Sequence, residues 1–445
     1  MNKLSKLYQR SSWFPVYNNL TTGGKARSNL LCAVIVQAIV SGFTGGIFYT
    51  GLLVGYGINI VNISILSAIP SVCSFLTIFS PLVLSKFKRR RIVLSVTRLF
   101  SYTVSILGIT LLPKIIPSES GRIFGLIAIS LITSCVNALF SPGYSPWHMS
   151  HITEDIRINY FSSTSLVSFI SSSTVMLLAS MATDRLTGDA QLNLIVALRY
   201  IGYAAAALDV YFLSKPKEPE YKVSTQKLSI VNVLKIPLSN RRFVLTILIS
   251  CMYSFIVCLS GSTLNTWLLE EVKASYLYVN AITAVYCFFI PATTPFWSKI
   301  MRKHGTFVTL AFVLLFNSPT YLIYAFVNHN NYLWLMTIVR LIQHLTGVGA
   351  TLSSSNLIYV NLPEADQDSY IVFHSLVANI IGLLCTATST TIVALMGKNT
   401  FTILGASLSS VPILLIIQFV LGMLLPILIF AIRPWMDPTS PKQKY

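Results

Sequence analysis

The chain has 445 residues, of which 54% are hydrophobic and only 10% are charged. A water-soluble chain carries about 25% charged residues, so water cannot be the solvent for most of this surface. The net charge of +18 would suit either a nucleic acid or a membrane, but the basic residues lie in short segments between apolar runs. We therefore expect a membrane protein with no nucleic-acid partner.

Twelve apolar runs are long enough to cross a bilayer, because a spanning helix needs about 20 mostly apolar residues. They cover residues 28–54, 60–84, 92–113, 121–143, 161–183, 191–213, 243–268, 275–298, 306–328, 332–356, 371–396 and 405–431. The Ser-rich run 161–183 and the run 275–298, which contains Pro291 and Pro295, are the weakest of them. The pattern predicts an all-α membrane protein with twelve transmembrane helices.

The lysines and arginines between the runs set the orientation. Twenty-four of them fall on the side of the two termini and five on the other side. Both termini are therefore predicted to be cytoplasmic, which requires an even number of spans. We expect a multi-pass protein of a cytoplasmic (plasma) membrane, and the short loops favour a bacterial one.

A polar stretch near the middle divides the chain. The predicted organisation is a cytoplasmic segment at 1–27, a six-helix bundle at 28–213, a cytoplasmic linker at 214–242, a second six-helix bundle at 243–431 and a cytoplasmic tail at 432–445. The linker contains KLSIVNVLKIPL, in which apolar residues recur at helical spacing. This piece is either an amphipathic helix on the inner leaflet or a plain connection.

The two halves of the chain repeat one another. FTGGIFYTGLL (43–53) aligns with LSGSTLNTWLL (259–269), and SKFKRR (85–90) aligns with SKIMRK (298–303). Glu154 and Tyr160 align likewise with Glu364 and Tyr370. Each match joins a helix to the one six further on, which preserves its direction across the membrane. The halves are therefore predicted to be parallel repeats related by an axis along the membrane normal.

With this repeat, the chain resembles the major facilitator superfamily over essentially its whole length. The family's signature between helices two and three reads Gly, three residues, Asp, a base, any residue, Gly and two bases. Its basic positions are matched by Lys86, Arg89 and Arg90, whereas Pro81, Ser85 and Lys88 replace Gly, Asp and Gly. Ser85 therefore lacks the carboxylate that helps to latch the family's two halves on the cytoplasmic side. The basic run is interpreted as a topology anchor with an added gating role.

The resemblance implies a substrate site near the membrane midplane, walled by helices one, four, seven and ten. The candidate ligands are the polar residues on those helices that lipid would not tolerate. They are Gln37, Tyr49, Asn137, Asn265, Trp267, Arg340, Gln343 and His344. The family's antiporter motif in helix five and its sugar-porter signature are both missing from this sequence.

Arg340 is the most informative of these residues. An arginine at the centre of a spanning helix costs about 2.5–3.5 kcal/mol on insertion scales, so it usually faces a partner or a wet cavity. His344 follows four residues later on the same helical face. The guanidinium and the imidazole together suit a carboxylate or a phosphate. The alternative is an interhelical hydrogen bond to the backbone or to Asn and Ser side chains.

Three more charged residues lie well inside predicted helices. Arg98 and Arg199 are interpreted as structural or gating residues. Asp209 lies about 15 Å of helix rise beyond Arg199, so contact between these two is not expected. Since three arginines face a single buried carboxylate, an anionic or acidic solute fits better than an organic cation.

The predicted function is a secondary active or facilitative transporter of a small anionic or acidic organic solute, acting by alternating access. The alternatives are an exporter or flippase of apolar or amphiphilic compounds and a transporter-like membrane sensor. We expect no enzyme activity, no metal and no cofactor, with a coupling proton or another ion left open. The expected partners are the solute and membrane lipids, and the expected state is a monomer. His148, His151, Glu154 and Asp155 have metal-like spacing, but a solvated cytoplasmic loop is the simpler interpretation.

Overall fold

The computed structural model describes residues 14–18, 20–87, 89–149, 151–152, 156–217, 230–261, 263–363, 367–397, 399–403 and 406–436. Within them, twelve helical segments are long and apolar enough to cross a membrane, and we number them spans 1 to 12. In chain order they are Thr22–Gly55, Ile60–Phe79, Arg90–Ile115, Glu119–Gly143, Ser163–Thr183, Gly188–Ser214, Arg241–Cys258, Tyr276–His304, Thr306–Tyr324, Tyr332–Leu357, Phe373–Met396 and Ser410–Met436. Each overlaps one run predicted from hydropathy, so the all-α membrane fold class is confirmed.

Several spans change helix type or break along their length. Span 2 joins helix Ile60–Cys73 to the 3₁₀ helix Ser74–Phe79, and span 4 joins Glu119–Phe140 to the 3₁₀ turn Ser141–Gly143. Span 3 consists of helices Arg90–Tyr102 and Ile109–Ile115 on either side of the π-helix Thr103–Gly108. Span 8 consists of Tyr276–Ala284 and Tyr286–His304. The helices of spans 5, 10 and 11 run over Arg157–Thr183, Tyr332–Val360 and Gln367–Met396.

Spans 1 and 7, which the sequence repeat aligns, are interrupted at equivalent places. In span 1, helix Thr22–Thr44 gives way to Gly46–Gly55, and Gly46 takes a φ of +54°, which favours glycine. Helix Arg241–Cys258 of span 7 is followed by the short helix Leu264–Glu270. The prediction of one continuous run over 243–268 is therefore wrong between these helices, where serine, glycine and threonine favour a turn.

The remaining elements are short. They are helices Phe14–Tyr17, Ser80–Ser85, Tyr144–Met149 and Ile230–Ser239, and the antiparallel strands Phe401–Ile403 and Ala406–Leu408. The helical spacing seen in the linker thus corresponds to a helix. Its Ile236 packs against a cluster that includes Phe243 and Tyr370. Its position on the inner leaflet stays a prediction.

The chain divides into two compact units. The first comprises Met1–Ile58 with Cys73–Ser224, and the second comprises Asn59–Val72 with Thr225–Tyr445. In the first unit, span 1 lies against spans 5 and 6, and Leu30, Leu94 and Leu213 pack in its core. In the second unit, span 9 lies against spans 10 and 12 around Leu310, Leu314 and Leu425. The first part of span 2 belongs to this second unit, where Ile60 and Val61 pack beside Leu259 and Cys385.

Candidate functional site

Arg340 on span 10 is the centre of a polar cluster within the second unit. Its Nη2 donates a hydrogen bond to the Tyr324 hydroxyl at 3.1 Å, and its Nη1 donates to Gln343 Oε1 at 3.3 Å. The guanidinium carbon also lies 5.1 Å from the centroid of the Tyr324 ring. The Nε atom is buried and has no hydrogen-bond partner within the described part of the chain. Arg340 therefore has neutral neighbours, and its Nε is a donor nitrogen without a partner among the described residues.

Span 9 supplies most of the groups around Arg340. Gln343 donates from Nε2 to the Thr320 hydroxyl at 3.0 Å, and the Trp267 ring meets Tyr324 edge-on with centroids 6.1 Å apart. The structure thus connects three predicted residues, Arg340, Gln343 and Trp267, through Tyr324 and Thr320, which sequence reasoning missed. The sequence did contain a pattern that indicates these residues, because Asn317, Thr320 and Tyr324 recur along an apolar run at the spacing of one helix face.

His344 is held by groups of span 8. Its Nε2 lies 2.7 Å from the carbonyl oxygen of Ile282, and its ring centroid lies 5.3 Å from that of Tyr286 and 5.9 Å from that of Phe289. This contact is the interhelical hydrogen bond that the sequence left open as the alternative to substrate binding. Asn265, another candidate of this unit, is partly buried on the short helix Leu264–Glu270.

The three candidates of the first unit lie in separate surroundings. The Tyr49 ring centroid is 5.8 Å from the guanidinium carbon of Arg199. Asn137 is exposed, and its Oδ1 accepts a hydrogen bond from Ser101 at 3.1 Å. Gln37 is exposed on span 1. No hydrogen bond among the described residues joins these three side chains to one another.

Arg199 binds backbone oxygens of two other spans. Its Nη1 donates to the carbonyl of Thr44 at 3.0 Å, at the end of the first helix of span 1. Its Nη2 donates to the carbonyl of Ser105 in the π-helix at 2.9 Å, and its Nε donates to the Thr110 hydroxyl at 2.8 Å. Since the side chain is only 2% exposed, these bonds support a structural role for Arg199.

Arg98 and Asp209 form an ion pair between spans 3 and 6. The Arg98 Nε to Asp209 Oδ2 distance is 2.7 Å, and the Tyr102 hydroxyl donates to the same oxygen at 2.8 Å. Asp209 is fully buried. The carboxylate is thus bonded to Arg98 and not to Arg199, and its charge is compensated.

The basic run after span 2 lies at the surface. Lys86 and Arg89 are exposed, and Arg90 begins the first helix of span 3. Ser85 ends the helix Ser80–Ser85, but its side chain and all of Lys88 lie outside what the structure describes. The gating role of this run stays a prediction.

The segment after span 4 begins with the short helix Tyr144–Met149. His148 in this helix is partly buried, and its ring centroid lies 5.6 Å from that of Trp147. Burial and the nearby Arg98 charge lower the pKa of His148 to about 4. Glu154 and Asp155 lie outside the described residues, among which no group of three His, Cys, Asp or Glu side chains could hold a metal ion.

His148 lines a cavity of about 430 Å³ in the first unit, which is open on one side. The other lining residues come from spans 1 and 5 and from the start of the span 5 helix. They are Val34, Tyr160, Thr164, Ser165, Ser168, Phe169 and Ser172. Sequence reasoning treated 161–183 only as a weak span, although its serines recur at helical spacing.

No protein-family model matches the chain, and no curated protein matches its sequence. Solved structures do match it. The nucleoside transporter NupG has 13% sequence identity and a TM-score of 0.65, over 92% of this chain and 99% of that chain. A bacterial homologue of the iron transporter ferroportin, in an inward-facing state, has 13% identity and a TM-score of 0.66, over 93% and 98%. A bacterial homologue of the human lysosomal transporter Spinster has 12% identity and a TM-score of 0.63, over 94% and 99%.

Identities this low establish the fold alone. The chain has the fold of the major facilitator superfamily, as its sequence predicted.

Proposed function

We propose that the chain is a membrane transporter that moves a small organic solute with an anionic group, by secondary active or facilitated transport. The fold favours alternating access as the transport mechanism. In this proposal both termini lie in the cytoplasm. The matching structures are described as a nucleoside transporter, a metal transporter and a transporter in complex with a conjugated peptide, so the fold by itself does not select a cargo. The choice of an anion depends on residues of this chain.

The observation that carries the choice is the uncompensated charge of Arg340. Three arginines lie well inside spans. Arg98 is paired with Asp209, and Arg199 is surrounded by carbonyl and hydroxyl oxygens. Arg340 instead bonds to one phenol and one amide, and no carboxylate among the described residues forms an ion pair with it. A cation at this depth is stabilised by an anion or by water.

The chemistry of the cluster suits a carboxylate or a phosphate. A guanidinium presents its donors in a planar fork that can bind two oxygens of one anionic group. The free Nε of Arg340 is one such donor. An anion bound by Arg340 would lie near the Tyr324 hydroxyl, which already contacts the guanidinium, so we expect Tyr324 to affect affinity.

Uptake by proteoliposomes tests this proposal. The full chain is reconstituted and screened for counterflow of carboxylates and phosphate esters, each beside an uncharged analogue. We expect Arg340→Gln to lower uptake of the transported anion by about 10- to 100-fold, since a hydrogen bond to a charged group contributes about 1.5–3 kcal/mol. Arg340→Lys should retain part of the uptake, because lysine keeps the charge but loses the fork.

Arg302→Gln is the matched control, because Arg302 is an exposed arginine at the end of span 8. This variant should transport as the unchanged protein does. Uptake that is equal in the Arg340→Gln and Arg302→Gln variants would refute the anion-binding role. Movement of lipid analogues alone, with no soluble solute taken up, would favour the flippase alternative.

A further inference from the structure

The cavity lined by His148 contains hydrogen-bonding groups that the protein itself leaves unused. The Nε2 atom of His148 is buried and has no partner within the described residues. Ser168, a half-buried residue that also lines the cavity, makes no hydrogen bond to any described residue, and neither does Ser165, which is exposed. Buried polar groups are normally satisfied by the protein, by water or by a ligand. The cavity therefore has capacity to bind a polar molecule.

The serines of span 5 that line the cavity lie on a different side of the helix from Leu166 and Ile170. Ser165, Ser168 and Ser172 recur at intervals of three and four residues, so they share one face of the helix. The exposed apolar side chains of Leu166 and Ile170 point to the other side. Lipid would contact the apolar face, because a bare hydroxyl in hydrocarbon costs several kcal/mol, on the order of 4–8 in alkane transfer.

The described part of the lining carries no formal charge at neutral pH, because it contains no lysine, arginine, aspartate or glutamate. Its one titratable group near neutrality is His148, whose pKa is lowered to about 4 by burial and by Arg98. A neutral imidazole provides one donor and one acceptor. An anion in the cavity would find no cationic donor on the lining, and an organic cation would find no carboxylate.

The volume and shape suit a small molecule. A cavity of about 430 Å³ falls within the usual range of ligand sites, about 300–1,000 Å³. Phe169 and Val34 supply apolar surface beside the hydroxyls.

We propose that this cavity is a second binding site, which takes an uncharged solute bearing hydroxyl or amide groups. Ser168 and His148 are its polar contacts, and Phe169 packs against its apolar part. The site belongs to the first unit and is formed without Arg340, so it does not depend on the transport proposal.

Ligand binding to the purified full chain tests the site. The probes are nicotinamide and xylitol, each beside its acid counterpart, nicotinate and xylonate. We expect at least one uncharged probe to bind in calorimetry and to raise the midpoint of thermal unfolding, with its acid at least about tenfold weaker. Ser168→Ala and His148→Leu should each weaken that binding by about tenfold, the size of one net hydrogen bond. Ser168→Phe should abolish binding by filling the cavity.

Ser173→Ala is the matched control, because Ser173 lies on span 5 but does not line the cavity. It should bind the probe as the unchanged protein does, and so should Arg340→Gln. The unfolding midpoint without probe shows whether each variant is folded. Binding that survives Ser168→Phe, equal binding of the acids, or no binding of either uncharged probe would overturn the proposal.

Discussion

Asp209 and Arg98 show how a buried charge in a membrane protein can depend on a partner of opposite charge. Each would be a bare charge without its partner, and Asp209 is fully buried while Arg98 is 12% exposed. Desolvation of two ions offsets much of their attraction, so such a pair contributes little net stability. Removing only one member of the pair is strongly destabilising, because the charge of the other member then stays buried and uncompensated.

We therefore expect Asp209→Leu alone to destabilise the protein strongly. Breaking a buried pair from one side costs about 3–5 kcal/mol. The double variant Arg98→Leu with Asp209→Leu should be more stable than either single variant. Thermal unfolding midpoints of all four proteins in one detergent give the comparison. Additive effects of the two substitutions would contradict a coupled pair.

The burial of His148 predicts how the stability of the folded protein depends on pH. A histidine whose pKa in the folded protein is about 4 binds fewer protons there than in the unfolded chain, where its pKa is about 6.5. The contribution of His148 to stability is therefore complete above about pH 6.5 and is lost as the pH falls toward 4. Between about pH 7 and about pH 4.5, we expect the unfolding midpoint of the His148→Gln variant to fall less than that of the unchanged protein.

His304→Gln is the control for this experiment, because His304 is exposed at the end of span 8. Its midpoint should follow the unchanged protein at every pH. If the pH dependence of His148→Gln were as steep as that of the control, His148 would not be the buried neutral group that the structure indicates.

At the scale of elements, Arg199 shows how an irregular helix is accommodated in the membrane. The end of a helix and a π-helical segment both leave carbonyl groups without their usual partners. In lipid such groups must be satisfied inside the protein. The guanidinium of Arg199 reaches both Thr44 on span 1 and Ser105 on span 3 from span 6, so it joins three spans at their irregular points.

This geometry predicts that Arg199→Lys is not a conservative change. An ammonium group cannot donate to both carbonyls and to the Thr110 hydroxyl at once, because all of its donor hydrogens are on a single nitrogen. The loss of two such bonds should cost about 3 kcal/mol or more, at about 1.5–3 kcal/mol each. The measurement is the unfolding midpoint, with Arg122→Lys as a control arginine that makes a single backbone contact, to Tyr56. A midpoint equal to that of the control would contradict the role as a connector.

The elements differ in how far the sequence could predict them. The spans followed from hydropathy because the bilayer demands long apolar helices with internally satisfied backbones. The break in span 7 was missed because an apolar average hides a short Ser-Gly-Ser-Thr interruption. Tyr324 was missed because the family resemblance directed attention to other helices. The pairing of Arg98 with Asp209 depends on how two helices are rotated about their axes, which hydropathy does not report.

At the scale of the whole molecule, the repeat is visible in local structure. Each half has a helix that breaks at the aligned Gly45 or Gly261 and continues as a short helix with a buried threonine, Thr50 or Thr266. Tyr160 and Tyr370, aligned in sequence, are both buried near the start of spans 5 and 11. Two halves can begin in the same direction only if the first half has an even number of crossings, as its six spans do, and the charge distribution then predicts which face is cytoplasmic.

Cysteine labelling tests this orientation directly. The seven native cysteines are replaced, and one cysteine is introduced at an exposed position: Lys217 after span 6, Arg302 at the end of span 8, or Asn330 before span 10. Since the basic segments stay on the cytoplasmic side, an impermeant maleimide should label positions 217 and 302 only in inverted vesicles and position 330 only in right-side-out vesicles. Labelling of 217 and 302 from opposite sides would mean an odd number of crossings between them, and parallel six-helix repeats would then be impossible.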